Sequence, residues 1–273
     1  MIASRLLLRA LPVLALFGLA ACAPPGPPKP PAPLPGYEAV QDGDITVPQV
    51  PPHLLTHNDP RGQVPYAGEE APGTIVVDTH ARRLYLVEEG GTAMRYSIAV
   101  GRTGLGFRGS ATVGRKEQWP AWTPTANMVR TYPEMYAEYA GGLPGGLSNP
   151  LGARALYLYR GGKDTYYRIH GTSDIGSIGR ATSAGCIRLF NQDIMDLYER
   201  VPYGTRVKVR TKEESLRLEG EIMEDLDGRA MRYDPVLAAE IEAQRAALAA
   251  AEAEAAAAAA SGAQPATDPA PAS

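Results

Sequence analysis

Several things are scarce in this chain, and each scarcity removes a class of function. Two cysteines in 273 residues, Cys22 and Cys186, cannot build a multi-bridge disulfide scaffold, so the fold must rest on a hydrophobic core. The 27 lysines and arginines are scattered among 30 acids for a net charge of −3, with no basic stripe of the kind a phosphate backbone requires, and no nucleic-acid partner is expected. The apolar run over residues 10–20 is too short to cross a bilayer. Histidine is rare, four in all, and His170 is the only one late in the chain. What remains is 44% hydrophobic content, with the Pro, Gly, Tyr and Val that mark strands and turns concentrated between about residues 70 and 210. One domain with low-complexity ends is expected.

The ends are informative. Arg5 and Arg9 precede the short apolar run, and small residues follow it, which is the pattern of an export signal. Leu19-Ala20-Ala21-Cys22 resembles the bacterial lipobox, which implies cleavage after residue 21 and lipidation of Cys22; an ordinary secretory signal cut near Ala21 is the alternative. Ala23 stands where an inner-membrane retention signal places Asp, so the resemblance implies a periplasm-facing lipoprotein of the outer membrane. Residues 22–70 open with APPGPPKPPAPLPG after the cysteine, a composition expected to be extended and solvated, a tether of about 3.1 Å per residue.

Within residues 71–211, strands are expected at 74–78 (TIVVD), 83–88 (RLYLVE) and 94–100 as an antiparallel meander. The glycine-rich 101–109 stretch is not a nucleotide loop, because no βαβ unit surrounds it, and it reads as sheet connection or substrate rim. Trp119 and Trp122 suit either a cleft lining or core packing, and residues 133–139 suit a short helix. Strands at 155–160 and 166–170 follow, the second ending at His170. The run Ser183-Ala184-Gly185-Cys186-Ile187-Arg188 follows, its cysteine sixteen positions after His170, then a helix expected to be capped by Asn191 with Ile194, Leu197, Tyr198 and Val201 on one face. RVKVR at 206–210 is expected to close the sheet.

A nucleophilic thiol needs a nearby imidazole or cation, and His170 is placed to act as base toward Cys186. Gly185 permits a tight turn in which the amides around Gly185 and Cys186 point at a developing oxyanion. Arg188 suits a bidentate grip on a substrate carboxylate. If Cys22 is lipidated, Cys186 stays unpaired in an oxidising compartment, which points to use rather than idleness; a buried structural cysteine or a Cys22 to Cys186 disulfide is the alternative.

Ile169-His170-Gly171-Thr172, the Ile178-Gly179 step, Ser183-x-Gly185-Cys186-Ile187-Arg188 and the helix after it resemble the catalytic signature of the L,D-transpeptidase (YkuD-type) family. Upstream, TIVVDTHARRLYLV, RYSIAVGR and NPLGARALYLY are similar as well, so the likeness covers residues 73–210. It implies a mainly β, sandwich-like fold with the cysteine loop above the sheet, and acyl transfer on peptidoglycan stem peptides without metal or organic cofactor. Cys186 would attack the carbonyl that precedes the terminal D-alanine of a tetrapeptide stem, and His170 would move the proton. The Gly171 carbonyl would orient the ring, with amides of residues 184–186, in the loop begun by Ser183, forming the oxyanion hole. The acyl group would pass to a second stem, giving a 3-3 crosslink, or to an envelope protein. Ala184 departs from the histidine that many members carry there. A hydrolase of the same bonds, or a non-catalytic peptidoglycan-binding tether, are the competing readings. Beyond the domain, residues 212–234 read as a charged appendage and 235–273 as a solvated Ala-rich helix with a disordered tail.

Overall fold

A computed structural model describes residues 32–57, 60–102, 106–183 and 185–261. The elements in order are β1 (Val40–Asp42), β2 (Ile45–Val47), α1 (Pro52–His57), β3 (Gly62–Pro65), β4 (Ile75–Asp78), β5 (Arg83–Glu88), β6 (Thr92–Ser97), β7 (Val100–Gly101) and β8 (Ser110–Gln118). Then come α2 (Ala126–Thr131), α3 (Pro133–Tyr136), β9 (Arg154–Arg160), β10 (Lys163–His170), β11 (Ala181–Ser183), β12 (Ile187–Arg188), α4 (Asn191–Arg200) and β13 (Arg206–Val209). The chain continues through α5 (Lys212–Glu219), β14 (Ile222–Glu224), β15 (Ala230–Arg232) and α6 (Pro235–Ser261).

The mainly β expectation holds. Nine strands form one sheet in the order β12-β10-β9-β8-β13-β4-β5-β6-β3. One cluster of buried side chains draws on β4, β5, β6, β8, β9, β10, β12, β13 and α4, from Ile75 and Leu84 to Leu158, Ile187 and Leu197. Strands so far apart in the order share one core only because the sheet curls back on itself, as right-handed twist favours. A bridge closes the curl: Ala99, just past β6, exchanges both backbone bonds with Arg188 of β12 at 2.9 Å.

β4 is a continuous apolar run because it is buried on both faces. Ile75 and Val77 join the main core, while Val76 packs with Tyr85, Val87 and Ala93 in a cluster on the opposite face. The RVKV run lies at the centre of the sheet, parallel to β4 and antiparallel to β8, and not at its closing edge. β8 escapes the sequence patterning because Arg115, Lys116, Glu117 and Gln118 occupy its second half. The expected helix over 133–139 is shorter, with α3 running into a 3-10 turn at Ala137–Tyr139 and α2 ahead of it. Neither tryptophan is a core residue: Trp119 donates to Asp42 at 2.8 Å, and Trp122 stacks near Tyr136 and Tyr139. The charged appendage contains α5, whose Thr211 and Glu214 form a capping box, and the β14–β15 hairpin. α6 is exposed along most of its length, as a solvated Ala-rich helix should be.

The largest correction concerns the lead-in. Although proline-rich composition predicts a solvated tether to residue 52 and beyond, the chain from Leu34 packs onto the domain. Tyr37 (1% exposed), Val50 and Leu55 form a cluster with Ala99, Ile178 and Phe190, and full burial of each such aliphatic side chain contributes about 1.5–3 kcal/mol. Polar joints add direction: Arg61 pairs with Asp193 at 2.9 Å, Gln192 donates to the carbonyls of Glu38 and Pro48, and Arg154 grips Asp42 with two bonds of 2.7 and 3.0 Å. The export signal, Cys22 and the last residues, 262–273, lie outside the described residues, as does Ala184.

Candidate active site

The sequence separates His170 from Cys186 by sixteen positions, and strand pairing brings their backbones side by side. β10 and β12 are parallel, with Ile169 opposite Ile187 and His170 opposite Arg188. Because side chains alternate along a strand, Ile169 and Ile187 both enter the core at 0% and 2% exposure. Arg168, His170 and Arg188 therefore project to the other face, and Cys186, one residue ahead of β12, shares their phase. Leu189 N–H donates to the His170 carbonyl at 2.8 Å and extends this pairing past the cysteine loop.

His170 is buried at 3% exposure, and its Nδ1 lies 2.5 Å from the Gly171 carbonyl. A carbonyl only accepts, so Nδ1 carries the proton and Nε2 keeps its lone pair free to act as base. Burial, reinforced by the Arg188 and Arg168 guanidiniums, pulls the imidazole down to about 3 against the opposing pull of the Gly171 carbonyl. The half-buried Cys186 thiol lies 3.9 Å from the Tyr166 carbonyl. Burial pushes it up, opposed by a bond from the Arg168 backbone and by the charges of Arg168 and Arg188. Both directions favour a neutral thiol beside a neutral imidazole at rest. That differs from the imidazole-stabilised thiolate the sequence suggests: the two arginines stabilise an anion at sulfur but also disfavour a cation on the ring.

Ser183, 2% exposed, staples the loop. Its hydroxyl donates to the Cys186 carbonyl at 2.7 Å and accepts from Gly185 N–H at 3.1 Å. The Gly185 amide is thus engaged, which removes one of the three donors expected for an oxyanion; the Cys186 amide stays in place, and Ala184 lies outside the described residues. Gly185 adopts φ 134°, open to glycine, and a side chain at Gly101 would meet Gly185 Cα at 2.7 Å. β7 and β11 pair across this contact. Arg188 faces Asp174 at 3.4 Å, a pair exposed enough to be weak.

Two groups at the site were not legible in the sequence. Arg168 makes two bonds to Asp164 (2.7 and 2.8 Å), and Asp164 also accepts from Tyr166 N–H at 2.8 Å. This brace holds a bulge in β10 with Tyr166 at φ 63°, turning its carbonyl toward the thiol. The second is Asn191, expected as a helix cap. Phe190 occupies the cap position without a side-chain bond, and Asn191 is instead buried as a cross-link. Its Oδ1 accepts from Ala153 N–H (2.9 Å) and Thr172 N–H (3.3 Å), and its Nδ2 donates to the Thr172 carbonyl at 3.1 Å. A side-chain carbon at Gly152 or Gly171 would come within 2.3 or 2.2 Å of that oxygen, so both glycines make room for it. Among the described residues no cluster of His, Cys, Asp and Glu is arranged to hold a metal ion, and no helix is long and apolar enough to cross a membrane.

The curled β sheet thus carries a buried histidine at the end of β10 and a half-buried cysteine immediately ahead of the parallel β12. Residues 72–209 match the L,D-transpeptidase catalytic domain family, YkuD, and the chain belongs to that family. It is similar to the probable L,D-transpeptidase ErfK/SrfK of Escherichia coli, 38% identical over 138 residues that cover 50% of this chain and 43% of that protein. The probable L,D-transpeptidase YbiS of Escherichia coli is 39% identical over 137 residues, covering 49% of this chain and 43% of that protein. The match therefore spans less than half of either relative's length. A solved structure from Brucella melitensis, named a probable carnitine operon oxidoreductase, is 51% identical, covers 53% of this chain and 89% of that one, and has a TM-score of 0.39.

Proposed function

We propose that the chain is a peptidoglycan L,D-transpeptidase that works through a Cys186 thioester. The observation that carries this reading is the His170 tautomer: with Nδ1–H held by the Gly171 carbonyl, Nε2 is the base on the face shared with Cys186. As Sγ attacks the carbonyl between diaminopimelate and the terminal D-alanine of a tetrapeptide stem, its proton passes to Nε2. The oxygen that gains charge is stabilised by the Cys186 amide, with Arg168 and Arg188 supplying positive potential. When the C–N bond breaks, the imidazolium returns the proton to the leaving amine and D-alanine departs, leaving the thioester. An incoming amine, from a second stem or from a lysine of an envelope protein, gives its proton to His170 as it forms the new amide, and the thiol is regenerated. Starting from a neutral pair, proton transfer accompanies attack instead of preceding it, and the low basicity of His170 makes the returning proton strongly acidic toward the leaving group.

Lipidation of Cys22 would hold this domain to a membrane, the outer membrane if Ala23 has its expected sorting role. The support is the lipobox-like sequence, and loss of membrane fractionation in Cys22→Ala is its test.

Two assays decide the chemistry. Intact-mass analysis with a carbapenem, a β-lactam acylator, is expected to give an adduct in the wild type and none in Cys186→Ala. Muropeptides from sacculi incubated with the enzyme are expected to contain 3-3 crosslinked dimers. Trimmed monomers alone would assign the thioester's fate to water, and absence of the adduct would remove the enzymatic reading.

A further inference from the structure

The hairpin of β1 and β2 belongs to the lead-in, ahead of the family match at residues 72–209. Asp42 ends β1 and pairs with Ile45 across a two-residue turn whose Gly43 takes φ 60°, which sets its carboxylate at the hairpin tip. That carboxylate accepts three hydrogen bonds, from Arg154 Nη1 at 2.7 Å, Arg154 Nη2 at 3.0 Å and Trp119 Nε1 at 2.8 Å. Bonding to Arg154 is the main influence that holds its carboxyl below the ordinary carboxylate range. Arg154 is 4% exposed, and a guanidinium so buried is costly without a paired anion.

These donors come from the place where β8 and β9 part. β8 stops at Gln118, opposite Arg154, and the next residue, Trp119, takes φ 43°, a left-handed conformation that a bulky side chain holds only where its surroundings enforce it. The Ala153 carbonyl ties the two strands there, accepting from Trp119 N–H at 2.8 Å and from Arg154 Nη1 at 2.9 Å. One peptide further on, the Arg154 carbonyl accepts from Gly171 N–H at 3.0 Å. Gly171 is the residue whose own carbonyl holds His170 Nδ1. Packing leaves little slack between these segments: a side-chain carbon at Gly171 would lie 3.0 Å from Ala153 N, and one at Gly152 would lie 2.6 Å from the Gly171 carbonyl carbon. Hydrogen bonds in series therefore run from the Asp42 carboxylate to Arg154, from the Arg154 carbonyl to Gly171, and from the Gly171 carbonyl to the imidazole.

We propose that Asp42 is a positioning residue for His170, fixing through Arg154 the backbone on which the Gly171 carbonyl, and with it the ring of the base, is registered. The inference rests on the reading of Cys186 and His170 as nucleophile and base. Asp42 touches neither of them. It acts by pinning the start of β9 to the lead-in, so that the imidazole is oriented in part from outside the matched domain. Asn191 holds the same stretch from α4, through Ala153 N–H, and the two side chains together leave the 153–154 peptide fixed at both of its ends.

The test uses the full chain carrying Asp42→Ala, Asp42→Asn or Val87→Ala. Val87 is buried on β5, with β4, β13 and β8 between it and β9, so its truncation lowers stability without touching the proposed path. Two quantities are read: the rate of carbapenem adduct formation against carbapenem concentration, and amide hydrogen exchange at Gly171 and at Arg210, whose N–H bonds the Val77 carbonyl at 2.9 Å. Asp42→Ala is expected to lower the maximal acylation rate about tenfold or more while the half-saturating concentration changes far less, with Asp42→Asn in between. Exchange at Gly171 should quicken by a larger factor than at Arg210, because the opening is local. Val87→Ala should quicken the two alike and keep the wild-type maximal rate. A wild-type maximal rate in folded Asp42→Ala overturns the proposal, as does equal slowing in Val87→Ala or a Gly171 response no larger than that of Arg210. Failure of both Asp42 variants to fold would assign the residue to stability alone and overturn it too. Wild-type protein that forms no adduct brings down the enzymatic reading, whereas normal wild-type adduct with unaltered Asp42 variants brings down only the role of Asp42.

Discussion

Replacing Asn191 tests whether this side chain caps a helix or cross-links the active-site backbone. Alanine there strips the partner from two buried amides, Ala153 N–H at 2.9 Å and Thr172 N–H at 3.3 Å, and from the Thr172 carbonyl at 3.1 Å. Each buried polar group left unsatisfied costs about 1–3 kcal/mol, and the longest bond counts for least, so Asn191→Ala is expected to lose about 3–5 kcal/mol. A helix cap predicts a loss of only about 0.5–2 kcal/mol. Serine separates the two sharply. As a cap it substitutes for asparagine at almost no cost, but its single hydroxyl cannot span Ala153 and both groups of Thr172, so Asn191→Ser should still lose about 2 kcal/mol or more. The measurement is equilibrium urea unfolding with an unchanged m-value, paired with the rate of carbapenem adduct formation. The rate should fall with stability, because residues 171 and 172 hold the carbonyl that sets the His170 tautomer. Asn191→Ser within about 0.5 kcal/mol of the wild type would refute the cross-link.

Three further outcomes are expected. The Cys186 thiol, pushed up by burial, should react with iodoacetamide more slowly at pH 7 than a free cysteine, its rate climbing only at higher pH than a free cysteine's does; a titration midpoint on the acid side of the free thiol would contradict the neutral resting pair. Burial, reinforced by the nearby charge of Asp196, pushes the Asp193 carboxyl up to about 6, opposed mainly by Arg61 with help from Tyr37. The folded state then binds this proton more tightly than the unfolded chain, so stability should decline as pH rises from about 4 to 6, by up to ~3 kcal/mol. The difference profile between wild type and Asp193→Asn should carry that slope, and it must be read as a difference because His170, held near 3, imposes a rise with pH over the same window; a flat difference refutes it. Finally, a side chain at Gly101 meets Gly185 Cα at 2.7 Å, backbone that cannot rotate away, so Gly101→Ala should slow acylation at least about tenfold while circular dichroism stays native. Full activity in that variant would show that the loop yields freely.

Sequence alone reveals the central strands because their physics is local. The TIVVD run at 74–78 announces a strand, whose burial on both faces only the structure shows, and Ile194, Leu197 and Tyr198 on one face of α4 announce a helix on a core. It reveals the His170 and Cys186 pair through spacing and motif. It misses what depends on distant partners. β8 is half charged, and its place in the sheet comes from β9 and β13, not from its own pattern. Composition marks the lead-in as solvated, since prolines dominate it; yet Tyr37, Val50 and Leu55 are few, correctly spaced anchors that find Phe190 only in three dimensions. Asn191 stands where a cap would stand, and only the two glycines brought against it from other segments disclose its use. The Asp164 to Arg168 brace is equally invisible, because a bulge has no strong signature without its partner strand.

The docking of the lead-in changes what counts as the smallest working fragment. A recombinant piece trimmed to the family match would begin beyond Tyr37 and Arg61, strip the cover from Phe190 and Ile178, and leave the buried Asp193 without its cation. The helix loosened by that cut is the one immediately downstream of Cys186. Traction along the N-terminal chain, whatever its source, would load the same joints and so be felt first behind the cysteine loop, not at a free sheet edge.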